Sequence, residues 1–245
     1  MLDNIRGGYH IALKDIVTYY FKAPNISWGL LFPFALILAF YLRSPGEFLE
    51  LVPGLLALTV LFGSTSMEAI VITFERRIGT MERLFLAPIS VGALVAGKIV
   101  AGAAFGFCTA LAVLVIAVPL LSIPVHHPVL LLLGLAIQSL TYASMGALVA
   151  VTVKEVFEAQ TLANFLRFPM VFLGGVFYPV AAMPEVLQYV AKVFPLTYGV
   201  NTVQAALGIG LPPDAAYIWG QLAIVAAFGL GLYFISTLVL SRQLR

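Results

Sequence analysis

The sequence predicts an all-α integral membrane protein with six transmembrane helices. Three observations indicate this fold class: an apolar composition, apolar segments of spanning length, and a one-sided distribution of basic residues. Of the 245 residues, 62% are hydrophobic and 10% are charged, whereas soluble domains carry about 25% charged residues. A soluble fold of this size could not bury so much apolar surface, so we expect much of that surface to face lipid.

Each predicted span contains roughly 20 mostly apolar residues, the length that crosses a bilayer. The six spans are predicted at 23–42, 51–74, 90–121, 128–153, 160–178 and 215–240. The third and fourth come from one run without Asp, Glu, Lys or Arg, residues 99–153. We divide that run at Pro119, Pro124 and Pro128, because proline interrupts helices.

Residues 179–213 contain five prolines and three glycines. This punctuation predicts short broken helices that enter the membrane from the outer side and return, rather than a seventh span.

The basic residues predict the orientation in the membrane. If the N-terminus is inside, eleven of the 13 Lys and Arg residues lie at or near the inner side. Only Arg43 and Lys192 then lie outside. This is a strong positive-inside bias. With an even number of spans, it places both chain ends in the cytoplasm.

The first 24 residues are predicted to form an amphipathic helix in the inner membrane interface. Tyr9, Leu13, Ile16 and Tyr20 recur at helical spacing on one face. Such a helix buries its apolar face in lipid and keeps its lysines near the headgroups. A plain extension before the first span is the alternative.

The sequence lacks the motifs that are typical of a membrane enzyme. Residues 92–98 match the first seven positions of a phosphate-binding P-loop, but Ile99 stands where magnesium binding needs Ser or Thr. The three aspartates are scattered, and His126 and His127 have no further ligands nearby in sequence. We expect a chain that is not an enzyme and holds no metal or cofactor itself.

Glu68 and Arg167 lie within predicted spans, where an ionisable group is a functional hypothesis by default. Glu68 precedes Phe74 by six residues, about 9 Å along a helix. The two residues could pair with each other or line a substrate path, and both interpretations stay open. An ion-coupled carrier usually contains more membrane-embedded charge than this.

Gly102 and Gly106 form a GxxxG pair in the third span, a pattern that lets helices approach closely. Packing within one subunit is the favoured use, and a dimer contact is the alternative.

The most informative segment is the inner loop, residues 75–90, which has charges at its edges and an amphipathic centre. A short helix there, held between two spans, could dock in a groove on a soluble partner. The loop closely resembles the segment after the second span in type-2 ABC exporter permeases. The matching residues are Glu75, Arg76, Arg77, Ile78, Gly79, Thr80, Met81, Glu82, Arg83, Leu84, Ala87, Pro88 and Ile89.

A second match lies downstream and resembles the outer segment between spans five and six of that family. Its residues are Gly174, Gly175, Val176, Phe177, Tyr178, Pro179, Met183, Pro184, Leu187, Gln188, Pro195, Leu196, Thr197 and Tyr198. The two matches occur in the family's order, and the six-span layout covers the whole chain.

The resemblance implies one permease domain, residues 1–245, in the cytoplasmic membrane. It implies a second permease copy in a homodimer and two cytoplasmic ABC ATPase subunits, which would hold ATP and magnesium. Membrane lipid is the other expected partner, and no nucleic acid is expected.

The resemblance also implies roles for particular residues. The contact with the ATPase would be made by a coupling helix comprising Arg77, Gly79, Thr80, Glu82, Arg83, Leu84 and Pro88. The outer cap of the path would be formed by residues 179–213 and the residues just before them. It would include Phe177, Pro179, Pro184, Pro195 and Tyr198.

The substrate class implied is an amphipathic small molecule, a drug or a lipid, moved outward. Two alternatives stay open: an exporter of a lipid-linked glycan, and an ion-coupled secondary transporter that works without an ATPase.

Overall fold

The helices follow the apolar runs of the chain and end at the residues that cap them. The computed structural model of the protein describes residues 2–22, 25, 31, 34–36, 38–42 and 48–243. In this part of the chain the α-helices are α1 Leu2–Asp15, α2 Phe48–Arg77, α3 Thr80–Phe85, α4 Val91–Leu121, α5 Pro128–Thr152, α6 Val156–Leu173, α7 Glu185–Ala191, α8 Pro195–Leu207 and α9 Ala215–Gln243. A π-helical turn, Ile16–Tyr20, continues α1, and a 3₁₀ turn, Val180–Ala182, precedes α7.

Among the described residues, four helices are long and apolar enough to cross a membrane: Leu49–Arg77 within α2, and α4, α5 and α9. Their bounds lie within three residues of the predicted second, third, fourth and sixth spans. Pro119 lies inside α4, which ends at Leu121 as predicted; Ser122 caps it with a φ of 51°. The predicted first span, 23–42, lies largely outside the described residues, so six spans stay a prediction.

The bounds predicted for the fifth span, 160–178, are wrong at both ends. α6 begins at Val156, because Glu155 and Glu158 form a capping box there. It ends before Gly174, and Gly175 follows with a φ of 83° that leaves the helical path. The helix therefore has 18 residues and lies about one turn earlier in the chain than predicted.

α2 is the central helix and packs against α4, α5, α6 and α8. Two glycines of α4, Gly102 and Gly106, allow α4 to approach α2 closely. A Cβ on Gly106 would lie 1.9 Å from Oγ of Ser64, and one on Gly102 would lie 2.5 Å from Oε2 of Glu68. The favoured use of the GxxxG pair, packing within the chain, is confirmed.

Residues 179–213 form short broken helices, as the prolines and glycines predict. α8 has 13 residues, about 20 Å, and is too short for a hydrocarbon core of about 30 Å. Leu196, Val200 and Val203 are each 0% exposed, so α8 packs deep among the long helices, while α7 lies on the surface. The depth of this segment in the membrane stays a prediction.

Candidate functional site

α3 is a short helix held between the ends of α2 and α4. Gly79 separates it from α2 with a φ of 73°, a conformation that glycine adopts without strain. Met81 is buried in an apolar cluster with Ile11 of α1 and Leu94 of α4. Glu82 and Arg83 are exposed, Thr80 and Leu84 are half-buried, and Pro88 is exposed. The short helix predicted within 75–90 is therefore present, with its charged face outward.

The surface beside α3 combines charged and large apolar side chains. Leu86 is 87% exposed, Ile78 is 52% exposed and Phe157 is 83% exposed. Nη1 of Arg77 lies 3.7 Å from Oε2 of Glu155, which brings the start of α6 next to the end of α2. Large exposed apolar side chains rimmed by charge are typical of a protein-interaction surface.

A cluster of four charges lies where α1 meets α2 and α4; three of its side chains are buried, and that of Lys14 is 34% exposed. Nζ of Lys98 lies 3.0 Å from Oδ2 of Asp15 and 2.5 Å from Oε2 of Glu75. Nζ of Lys14 lies 2.9 Å from Oδ1 of Asp15 and donates a hydrogen bond to Oε1 of Glu75. The side chains of Asp15 and Glu75 are 0% exposed and that of Lys98 is 1% exposed. We call these four residues the charge clamp.

The charge clamp is tolerated inside the protein because its two cations and two carboxylates balance. Burial lowers the pKa of Lys14, but its hydrogen bonds to Glu75 and Asp15 outweigh burial and raise that pKa above its ordinary value. Lys14 is therefore charged at neutral pH.

The charge clamp corrects one expectation from the sequence, the position of Glu75, and gives Lys98 a role. Glu75 was expected in the polar inner loop, but α2 continues to Arg77 and buries it. Lys98 ends the P-loop-like segment, and its ammonium binds two carboxylates of this chain. It is an internal ion-pair partner, consistent with the rejection of nucleotide binding by residues 92–98.

α1 has an exposed apolar stripe, although not on all the residues predicted. Its members are Ile5, Tyr9 and Leu13, which are 63%, 63% and 45% exposed, and Val17 of the π-helical turn, 62% exposed, continues it. Tyr20 was predicted on this face and is instead 0% exposed. The π-helical turn changes the helical register after Asp15 and directs Tyr20 inward. The position of α1 in the membrane interface stays a prediction.

Glu68 and Arg167 are both buried, and of the two interpretations left open by the sequence, pairing with each other is not what the structure shows. The hydroxyl of Tyr20 donates to Oε2 of Glu68 over 2.5 Å, and Oε1 has no hydrogen-bond partner among the described residues. Arg167 donates to the hydroxyl of Ser66. Ser66 and Glu68 are two positions apart on α2, about 200° around the helix axis, so the two charged groups face different neighbours.

The residues predicted for the outer cap lie around α7 and α8. Phe177 and Tyr198 are half-buried, Pro195 is buried, and Pro179 and Pro184 are exposed. The hydroxyl of Tyr198 donates to the carbonyl of Lys192 over 2.8 Å, which ties the end of α7 to α8. These residues shape one end of the bundle, and their role as a cap stays a prediction.

An apolar groove of about 360 Å³ lies between α4, α5 and α9. Ile99, Leu140 and Leu230 are among its walls. The hydroxyl of Tyr233 donates to the carbonyl of Gly92 over 3.2 Å, so this polar group is satisfied within the protein.

Sequence reasoning missed the charge clamp as a unit and the Tyr20–Glu68 hydrogen bond. One signal was available: Lys98 lies two turns inside an apolar helix, where a charge needs a partner. The pattern could not identify that partner, because Asp15 is 83 residues away and Glu75 is 23 residues away in sequence.

The long apolar helices define a multi-pass membrane protein, with a short charged helix between two of its spans. A family model described as ABC-2 type transporter matches residues 11–207, and the chain belongs to this family. It is thus the membrane subunit of an ABC transporter, and the family implies association with an ABC ATPase subunit.

Two relatives show the extent of the similarity. Inner membrane transport permease YadH of Escherichia coli (strain K12) is 26% identical over 189 residues, which cover 76% of this chain and 69% of that protein. Nodulation protein J of Rhizobium meliloti (strain 1021) is 26% identical over 198 residues, which cover 78% of this chain and 72% of that protein.

Proposed function

We propose that this permease forms a homodimer, binds two cytoplasmic ABC ATPase subunits through α3, and exports an amphipathic small molecule, drug or lipid as they hydrolyse ATP. ATP and magnesium would be held by the ATPase subunits, and this chain would hold no cofactor. One observation carries the proposal: α3 is a short helix fixed between two long ones, with Glu82 and Arg83 outward and Met81 anchored inward.

The anchoring of α3 suits it to transmit force. Met81 belongs to the same buried apolar cluster as Ile11 of α1 and Leu94 of α4, so a push on the outer face of α3 would be passed to both helices through this cluster. ATP binding would then bias the permease between an inward-facing and an outward-facing state, as differential binding to two states requires.

The charged end of the bundle supports a cytoplasmic position for α3 and for both chain ends. Nη2 of Arg76 donates to Oε1 of Gln243 over 2.7 Å, so the end of α9 meets the end of α2. Three further arginines lie at this end of the bundle: Arg77 at the end of α2, Arg83 in α3 and Arg242 at the end of α9. A concentration of arginines on one side is typical of the cytoplasmic side.

An aromatic stripe on α6 supports the homodimer. Phe165, Phe168 and Phe172 are 74%, 50% and 65% exposed, and their spacing places them on one face of the helix. Large aromatic side chains are enriched in protein interfaces, so this stripe is the surface we assign to the second copy.

The groove between α4, α5 and α9 supports an apolar or amphipathic cargo over a strongly polar one. Its volume of about 360 Å³ falls within the range of about 300–1,000 Å³ that small-molecule pockets occupy.

An ion-coupled carrier is the second candidate, and Glu68 is the observation in its favour. This carboxylate is 0% exposed within α2, and its Oε1 lacks a partner among the described residues. Transport by purified protein in vesicles without nucleotide would support this candidate and contradict the ATP-driven one.

Arg83→Ala and Glu82→Ala test the role of α3. Each removes an exposed charge that we place in the ATPase contact, and a central interface side chain contributes about 2 kcal/mol, roughly 30-fold in affinity. We expect weaker capture of the ATPase from native membranes and less transport per ATP, with an unchanged melting temperature because both side chains are exposed.

Glu185→Ala is the matched control, since it removes an exposed charge from α7, a different short helix. Normal capture and normal transport in both α3 variants would contradict the coupling role. Native membranes from which the permease never recovers an ATPase would contradict the proposed function as a whole.

A further inference from the structure

We infer that α1 and the segment 75–90 form a single rigid unit, held together by the charge clamp, so that α1 moves with α3 during the transport cycle. The part of this inference that concerns the cycle rests on the proposed function. The rigid unit itself rests on contacts within this chain.

α1 contacts the chain on both sides of α3. Before α3, Lys14 binds Glu75, and the charge clamp also joins Asp15 to Lys98 of α4. After α3, Oδ1 of Asn4 accepts a hydrogen bond from the backbone N–H of Ser90 over 2.9 Å. The N-terminal and C-terminal ends of α1 thus hold the two ends of the segment that carries α3.

Close backbone packing reinforces the polar contacts. A Cβ on Gly97 would lie 2.5 Å from the carbonyl oxygen of Gly8, and one on Gly7 would lie 2.5 Å from Cγ2 of Ile89. Helices whose backbones approach this closely interlock, and they cannot slide past one another without separating.

The charge clamp fixes the other end of α1, because three of its four side chains are withdrawn from water. Separating α1 from α2 and α4 would break two ion pairs, Lys14 with Glu75 and Asp15 with Lys98. Glu75 and Lys98 would keep each other as partners but would each lose one of two ionic contacts, so these contacts favour the state in which α1 stays bound. Lys98 is the positioning residue at the centre, since it binds both α1 and α2.

A mechanical consequence follows for transport. A force applied to Glu82 or Arg83 would move α1 together with α3. Its exposed stripe, from Ile5 to Val17, would then move relative to the surrounding lipid. α1 would act as part of the ATPase-driven element and not as a passive anchor.

The test measures the distance between spin labels on α1 and next to α3. Labels at Ile5→Cys and Ile78→Cys use residues that are 63% and 52% exposed, in a Cys108→Ser background because Cys108 is also exposed. The distance is measured in the permease–ATPase complex without nucleotide and after trapping with ATP. A second pair, Ile78→Cys and Val186→Cys, reports motion of α3 relative to α7.

We expect one narrow 5–78 distance that is the same in both states, while the 78–186 distance shifts. A 5–78 distance that shifts with nucleotide would overturn the inference.

Two charge-balanced variants test the clamp without nucleotide or ATPase. Lys14→Met with Asp15→Asn removes the contribution of α1, and Glu75→Gln with Lys98→Met removes that of α2 and α4. Each removes one cation and one anion, so no unbalanced charge stays buried. Glu185→Gln with Lys192→Met makes the same charge change in the α7 region, where both residues are exposed.

We expect both clamp variants to lose the single narrow 5–78 distance and the α7 control to keep it. A narrow distance retained in either folded clamp variant would overturn the inference. This measurement needs only the permease, so it tests whether α1 and the segment 75–90 form a rigid unit even if no ATPase binds. Failure of ATPase binding would instead count against the proposed function.

Discussion

Gly106→Ala is expected to destabilise the permease by separating α4 from α2. The added Cβ would lie 1.9 Å from Oγ of Ser64 and 2.9 Å from its backbone nitrogen, whereas carbon contacts are optimal at about 3.5–4.0 Å. The hydroxyl can rotate away, but the backbone nitrogen cannot. The helices must therefore move apart, and neighbouring contacts along the GxxxG face loosen with them.

The magnitude follows from two opposing effects. Overpacking a close contact costs about 1–3 kcal/mol, and replacing glycine by alanine within a helix returns about 1 kcal/mol. Because a backbone atom is involved, the overpacking term lies in the upper part of its range. We expect a net loss of about 1–2 kcal/mol in the free energy of unfolding.

Gly231→Ala is the matched control, since a Cβ there meets no atom within 4 Å. It lies in α9 and gains helix propensity without a clash, so we expect stabilisation of up to about 1 kcal/mol. The two identical substitutions should therefore change stability in opposite directions.

Equilibrium unfolding in mixed SDS and dodecyl maltoside micelles, followed by circular dichroism, measures both variants. Adding Ser64→Ala to Gly106→Ala removes the shortest contact and should recover part of the loss. Ser64→Ala alone should be nearly neutral, because its Oγ has no hydrogen-bond partner among the described residues. A Gly106→Ala protein as stable as Gly231→Ala would refute the packing argument.

Two further predictions use the same unfolding assay. Lys98→Met leaves the buried carboxylates of Asp15 and Glu75 with Lys14 as their cation in the clamp, and breaking a buried ion pair costs about 3–5 kcal/mol. The balanced pair Glu75→Gln with Lys98→Met should lose less, and an equal or larger loss would show that charge balance is not what the clamp requires. Tyr20→Phe removes the hydroxyl that donates to Glu68 and should cost about 1–3 kcal/mol, because an acceptor is left buried and unpaired. Tyr9→Phe, on the exposed stripe, should change stability by less than about 0.5 kcal/mol, and similar values for the two tyrosine variants would contradict the buried hydrogen bond.

The long helices could be predicted because each depends on local sequence. α4 and α5 begin and end within one residue of their predicted bounds, since charge-free apolar residues and capping groups at their ends act locally. The fifth span was misplaced because its boundaries depend on weaker signals. The predicted span begins only at residue 160, after Glu155 and Glu158, whereas in the structure these two residues cap the first turn of α6.

The candidate site divides in the same way. The position of α3, with Gly79 before it and Glu82 and Arg83 outward, could be expected from the amphipathic loop and the family resemblance. The partners of Glu68 and Lys98 could not, because they depend on which faces of distant helices meet. Glu68 and Arg167 could have paired, yet Glu68 meets Tyr20, and Arg167 of α6 meets Ser66 on another side of α2.

The sequence by itself determined that this protein is surrounded by membrane lipid, that it is helical, where its long apolar helices lie, and that it belongs to the ABC-2 type transporters. Lipid solvation requires backbone hydrogen bonds to be made within each spanning helix, so those features are readable one segment at a time. Only the tertiary structure decided that Asp15, Glu75 and Lys98 meet in one buried cluster. Ion pairing between distant segments depends on helix packing and register, and the π-helical turn after α1 sets that register for Tyr20.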